Sequence, residues 1–246
     1  MISTYFLGGL GSHSYSSLDF IEQLPFPVTV IDLPGHGSEQ DVVVSNTSQL
    51  LDWFAQKIDD KQPCILIGHS LGASLIAYLA SQCPNVKSVI LLDGAYIEVD
   101  KLISLDDELA ETARFLETST YPDIESAIQA EKQMSSKWTD NQQKAIEKSL
   151  IWKEGSYRLN VNAESVFGLI SLHHQIVPSL EGITCPCLLL PQTKDLPTWK
   201  WHMLNKVPDH IQIQKIPDCG HHLHIEKPKL IAQVVSRFLF PIQQRP

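Results

Sequence analysis

The sequence predicts an α/β protein: a doubly wound, mostly parallel sheet of about six strands, covered by helices on both faces and interrupted by a helical cap insertion. Three observations predict it. Short, near-continuous apolar runs alternate with stretches of helical periodicity, the pattern of strands buried on both faces. That alternation stops between about Tyr96 and Val177 and resumes at Cys187. The chain has 246 residues, 43% apolar and 19% charged, which is enough for one domain with a sizeable core and argues against disorder. The expected division is 1–95 with 179–246 for the core and 96–178 for the cap.

The elements follow in order. Thr4-Tyr5-Phe6-Leu7 reads as a strand that ends at Gly8-Gly9, and a helical stretch follows from about Ser14 to Leu24. Val28 to Ile31 is a second strand, stopped by Asp32-Leu33-Pro34-Gly35. Leu50, Leu51, Phe54 and Ile58 have helical spacing. Cys64 to Ile67 is a third strand, Leu71 to Ala80 a helix apolar nearly all round, and Val86 to Leu92 a fourth strand. In the insertion, Leu109, Ala113 and Leu116 share a helical face, as do Ile124, Ala127 and Ile128. Thr139 with Gln142 three residues on is a capping-box pattern for a helix through Leu150, and Glu164 to Leu172 is a further helix. Cys187 to Leu190, a helix near Trp199 to Asn205, a strand over Ile211 to Ile216 and a helix from Lys227 to Phe240 complete the chain.

Charge and composition exclude several partners. The net charge is −9, with 28 acidic against 19 basic residues and no Lys/Arg cluster, so nucleic acid and polybasic membrane attachment are not expected. No apolar run approaches bilayer length. The opening Met1-Ile2-Ser3-Thr4-Tyr5 lacks the charged and apolar regions of a signal peptide. Five cysteines in apolar surroundings read as reduced, buried thiols of a cytoplasmic protein. No metal or other cofactor is expected, and the chain is expected to be a monomer or homodimer.

The sharpest chemical signal is Gly68-His69-Ser70-Leu71-Gly72, a G-x-S-x-G pentapeptide that directly follows a strand and opens a helix. A serine on such a turn exposes its Oγ, and the helix N-terminus favours negative charge beside it. Asp218-Cys219-Gly220-His221 follows the last strand and supplies the base, with His221 preferred over His222 and His224 because the glycine before it permits a turn back over Ser70. A zinc site on these histidines is not expected, since no Cys, Asp or Glu spacing completes one. Asp195, after the Cys187–Leu190 strand, is the expected acid that orients His221; Asp93, at the end of the strand before the insertion, is its competitor. The glycine loop Leu7-Gly8-Gly9-Leu10-Gly11 reads as an oxyanion loop, the Leu10 and Leu71 N–H groups holding the oxyanion. Gly9, His69 and Trp138 are candidates for the substrate pocket.

Together these features resemble the α/β-hydrolase superfamily. Asp32-Leu33-Pro34-Gly35-His36-Gly37-Ser38 is similar to its D-x-P-G-x-G-x-S segment, with Ser38 one place early. Gly220-His221 through Glu226 and Pro228 is similar to its G-H-x(4)-E-x-P segment. The resemblance covers nearly the whole chain and implies Ser70 as nucleophile, Asp195 as acid, His221 as base and the insertion as the variable helical cap. Two features depart from it. Gly8 stands where the family's oxyanion loop has histidine. The sequence also begins at the strand leading to that loop, without the usual antiparallel hairpin, so six strands are expected instead of eight. Small plant esterases and hydroxynitrile lyases of the superfamily begin similarly.

The function expected from these residues is a serine hydrolase that acts on a small to medium carboxylic ester or thioester through an acyl-enzyme, with a small-molecule acyl substrate as its partner. Carbon–carbon bond hydrolysis or lyase chemistry on the same residues, and a non-catalytic binding protein on the same fold, are the alternatives.

Overall fold

The computed structural model describes residues 2–59, 62–135, 137–176 and 179–241. The expected junction at 178 between insertion and core lies outside the described residues.

Six strands form one sheet: β1 (Ser3–Leu7), β2 (Thr29–Ile31), β3 (Cys64–His69), β4 (Val86–Leu92), β8 (Cys187–Leu190) and β9 (Gln212–Ile213). Their order is β2-β1-β3-β4-β8-β9, and every pairing is parallel. The runs of buried apolar residues that suggested strands are the requirement of the central strands, which are covered on both faces, while the edge strands β2 and β9 are partly exposed. Alternate side chains feed two cores. Leu7, Leu66, Leu91 and Leu189 join one with α2 (Thr47–Lys57), α3 (Leu71–Gln82) and α8 (Thr198–Leu204). Phe6, Ile67, Ile90 and Leu188 join the other with α1 (Leu18–Ile21), α9 (Leu223–Glu226) and α10 (Pro228–Leu239). α3 is buried at every position from Leu71 to Ala77, as its apolar surround predicts.

Between β4 and β8 lie α4 (Leu105–Thr118), α5 (Ile124–Met134), α6 (Asp140–Ser149) and α7 (Ala163–Gln175). The purely helical reading of this segment needs correction. It also holds a second, antiparallel sheet, β5 (Thr120–Tyr121), β6 (Leu150–Lys153) and β7 (Ser156–Leu159), in the order β5-β7-β6. Leu150, expected at the end of a helix, opens β6 instead. The β6–β7 turn is Glu154-Gly155, both with positive φ (53° and 82°), the geometry of a tight two-residue hairpin.

Polar contacts tie the insertion to the core. Thr139 caps α6 by accepting from the Gln142 N–H at 3.2 Å, the expected first half of a capping box. The Gln142 side chain does not return to the cap; it donates to the Ser16 carbonyl at 3.0 Å. Thr139 and Asn141 both donate to the Asp19 carboxylate. α7 goes further: Leu169 and Leu172 belong to the same buried core as α2 and α3. Among the described residues no helix is long and apolar enough to cross a membrane.

α3 lies unusually close to β1. A Cβ on Gly72 would stand 2.3 Å from the Gly8 carbonyl oxygen and 2.5 Å from that of Leu7, both backbone atoms that cannot swing aside. Gly72→Ala is therefore expected to cost about 1–3 kcal/mol by overpacking. At about 2–4 °C per kcal/mol for a chain of this size, the loss is readable as a lowered melting temperature by circular dichroism. An unchanged melting temperature would show that β1 and α3 can part without cost.

Candidate active site

The carboxyl ends of β3, β4 and β8 meet at one edge of the sheet, where parallel α/β sheets hold their ligands. β3 ends at His69, and Ser70 follows with φ 54° and ψ −122°, a strained conformation for a residue with a side chain. The surroundings hold it there. The Ser70 N–H donates to the Leu92 carbonyl at 3.0 Å, and the Ser70 carbonyl accepts from Ala73 and Ser74 at 3.0 and 3.2 Å. Gly94 lies against the same carbonyl, 2.2 Å from where its Cβ would be, so the end of β4 admits no side chain there.

His221 stands over this turn. Its Nε2 accepts from Ser70 Oγ at 3.1 Å, and its Nδ1 donates to Asp93 Oδ2 at 2.6 Å. The direction of each bond follows from chemistry: a carboxylate only accepts, which leaves the Nε2 lone pair facing the hydroxyl. The expected acid is therefore corrected. Asp195 lies exposed on the turn after β8, while the carboxylate on His221 is Asp93. Backbone bonding explains the difference. Thr193 and Lys194 both donate their N–H groups to the Cys219 carbonyl at 2.8 Å, and Gln192 donates its N–H to Asp93 Oδ1 at 2.8 Å. The β8 loop thus braces the His221 loop and Asp93, and then turns outward before it reaches Asp195.

Asp93 has no solvent exposure. Burial alone would raise its pKa. The hydrogen bond from His221, the nearby Lys200 ammonium and the Gln192 N–H outweigh burial and hold it down at about 2. Oδ1 accepts from Tyr96 Oη at 2.7 Å, and Oδ2 accepts from Lys200 Nζ at 2.6 Å. Lys200 is only 5% exposed and donates also to Gln192 Oε1 at 2.8 Å. Tyr96, Gln192 and Lys200 escaped the sequence reading. The available signal was Asp93 itself, a charge that directly follows the apolar run Val89–Leu92 and precedes glycine.

The glycine loop runs beside Ser70. Leu71 opens α3, so its N–H is one of the donors a helix N-terminus leaves free. Leu10 sits in a turn closed by Ser12, whose N–H and Oγ both donate to the Gly9 carbonyl, at 3.1 and 2.7 Å. The position of Gly8 is filled: a Cβ there would stand 2.3 Å from Ser12 Oγ. His36, a further residue not singled out from the sequence, secures the loop from outside. Its Nδ1 donates to the Pro34 carbonyl and its Nε2 accepts from the Gly11 N–H, both at 2.9 Å.

Gly9, His69 and Trp138 line a cavity of about 700 Å³ together with Ser70 and His221. Residues of α4, α5, α6 and β7 supply the opposite wall, among them Phe115, Met134, Ile146 and Leu159. The charged side chains on the cavity wall, histidines aside, are Glu131, Lys194 and Glu226 among the described residues.

Burial lowers the pKa of six histidines, His13, His36, His69, His173, His222 and His224, the last to about 3. Below about pH 6.5 the unfolded imidazoles take up protons that the folded ones resist. Stability from these groups is complete above that pH and falls as the pH drops. Asp93, held near 2, adds acid sensitivity only below about pH 4. The melting temperature is expected to fall steadily from neutral pH to about pH 5; a flat or rising profile would contradict the burial of these rings.

Comparison with known proteins agrees with this fold. The chain is 25% identical over 254 residues, 98% of this chain and 99% of the other, to a Haemophilus influenzae protein named for 2-succinyl-6-hydroxy-2,4-cyclohexadiene-1-carboxylate synthase activity. It is 34% identical over 90 residues, 35% of this chain and 34% of the other, to a Neisseria meningitidis pimeloyl-[acyl-carrier protein] methyl ester esterase. Among solved structures it is similar to E-2-(acetamidomethylene)succinate hydrolase, with a TM-score of 0.78 and 20% identity over 97% of this chain and 91% of that one. A profile of the Alpha/beta hydrolase family matches residues 5–234, nearly the whole chain. The chain belongs to the Alpha/beta hydrolase family.

Proposed function

We propose that this protein is a serine hydrolase that cleaves a carboxylic ester or thioester with an uncharged, apolar acyl group. The observation that carries the proposal is the hydrogen-bonded series Ser70–His221–Asp93 opening on the cavity beneath the insertion. As Ser70 Oγ bonds to the acyl carbon, its proton passes to His221 Nε2. The carbonyl π pair moves onto oxygen, where the N–H groups of Leu10 and Leu71 receive it. Collapse breaks the bond to the leaving oxygen or sulfur, which takes the proton from His221. Water then gives a proton to His221 and attacks the acyl carbon, Ser70 Oγ recovers the proton, and the carboxylic acid departs. Asp93 holds the imidazole tautomer and stabilises the imidazolium in both halves.

The volume of the cavity fits a small molecule. Its apolar wall supports a hydrocarbon acyl part, and its named charges, two carboxylates and one ammonium, do not favour an anionic one. The near full-length similarity to the Haemophilus synthase favours a second reading, carbon–carbon bond elimination on the same residues. That protein's name describes a product with more than one carboxylate, whereas Lys194 is the one cation of the cavity wall here among the described residues, histidines aside. The balance therefore favours ester or thioester cleavage. The absence of a disulfide among Cys64, Cys185, Cys187 and Cys219 supports a reducing, cytoplasmic setting; the chain is proposed to be a monomer or homodimer, with neither membrane nor nucleic acid as partner.

Turnover of a series of nitrophenyl esters of increasing chain length, with a fluorophosphonate probe, tests this. Wild type is expected to be labelled and to hydrolyse the esters; Ser70→Ala is expected to do neither. Asp93→Asn is expected to lower kcat by about 10³–10⁴-fold and Asp195→Asn to leave it unchanged, with folding followed by circular dichroism. Absent ester turnover in folded wild type would favour elimination or binding. Equal labelling of Ser70→Ala would remove Ser70 from the chemistry.

A further inference from the structure

Three imidazoles from two distant parts of the chain meet beside Ser70. His69 ends β3, while His221 and His222 lie in the loop before α9, and each offers a ring nitrogen within 4.8 Å of those of the other two. The ring centroids stand 4.7 Å apart for His69 and His221, 5.3 Å for His69 and His222, and 5.0 Å for His221 and His222.

The hydrogen bonds determine where the lone pairs are. His69 Nε2 donates to the His221 carbonyl at 3.0 Å, which leaves the lone pair on Nδ1. That atom is turned toward the glycine loop, 3.2 Å from where a Gly9 Cβ would be. His221 Nδ1 donates to Asp93, which leaves its lone pair on Nε2, on the Ser70 side. His222 completes the group from the exposed side of the loop. The Asp93 carboxylate behind His221 is the arrangement that orients and strengthens a ligating imidazole.

The geometry points to an inhibitory metal site on His69, His221 and His222, which takes a borderline divalent transition ion such as Zn²⁺ or Cu²⁺. An all-imidazole donor set selects such ions and offers nothing to Mg²⁺ or Ca²⁺, which require oxygen ligands. A metal there takes the Nε2 lone pair of His221 that the Ser70 proton needs. Occupancy therefore stops the reaction without covalent change and is reversed by chelation. The inhibition rests on the hydrolase reading above; the binding does not. The spacing of residues along the chain could not reveal the site, because His69 lies 152 residues from His221.

The test separates the two. Zn²⁺ binding is measured by titration calorimetry and Cu²⁺ binding by electron paramagnetic resonance, on wild type and on Ser70→Ala. Both proteins are expected to bind one ion, with imidazole nitrogen hyperfine structure on Cu²⁺, and Mg²⁺ is expected not to compete. His222→Ala and His222→Gln are expected to keep ester turnover and to weaken both binding and inhibition about tenfold or more. EDTA is expected to restore wild-type activity in full. Zn²⁺ affinity unchanged in both His222 variants would place the ion elsewhere, for example on the thiols of Cys83 and Cys185, and overturn the site. Failure of wild type to bind at submillimolar metal would do the same. Binding without inhibition, in an enzyme that does turn over esters, would overturn the switch alone. Binding by a protein with no ester turnover would leave the site standing and count against the hydrolase reading.

Discussion

The site depends on one buried charge. Asp93 is wholly removed from solvent, and an ionised carboxylate in that position costs several kcal/mol unless every lone pair is used. Four donors meet it: Tyr96 from its own loop, Gln192 from the loop after β8, Lys200 from α8 and His221 from the loop before α9. The need is mutual, because Lys200 is almost as deeply buried and is equally intolerable alone. The ends of β4 and β8, the start of α8 and the His221 loop are thus drawn to one point by electrostatics as well as by apolar packing. Lys200 and His221 share the same oxygen, so the lysine fixes the carboxylate rotamer against which the imidazole is aligned.

This arrangement explains which parts of the site are legible in the sequence. Ser70 is legible because the need for glycine is written beside it: a Cβ on Gly68 would stand 2.7 Å from the Gly72 carbonyl oxygen, four residues along the chain. The central strands β1, β3, β4 and β8 are legible because strands covered on both faces must be written largely in buried apolar residues. The choice of acid is not local. Asp93 and Asp195 both follow strands of the sheet, and what separates them is Gln192, 99 residues from Asp93, and Lys200, 107 residues from it. Lys200 stands between exposed tryptophans in a short helix, and no local pattern marks it as a buried ion. The small sheet in the insertion was hidden for a different reason. Its strands are two to four residues long and half exposed, and Glu154-Gly155 is a less familiar spelling of a turn usually written with asparagine or aspartate.

The glycine loop shows how a missing residue can be replaced by a different geometry. With glycine at position 8, Ser12 occupies the space beside the backbone and closes the turn on Gly9. His36 arrives from the loop after β2 and accepts from Gly11. Its burial keeps it neutral, and only the neutral ring has the lone pair that this bond requires. The loop is therefore held at both ends, by Ser12 at the edge of the cavity and by His36 from behind.

α7 divides the insertion into two parts with different freedoms. Its Leu169 and Leu172 are part of the main core, its His173 bonds Ser74 on α3 at 3.1 Å, and a Cβ on its Gly168 would stand 2.6 Å from the Val44 carbonyl. The helix is foundation, not cover. The stretch from α4 to β7 is the part that walls the cavity while contributing few side chains to the main core. That stretch can therefore change, and with it what enters the site, without disturbing the main core. α7 must be inherited with the sheet, because removing it would open the core that carries Ser70.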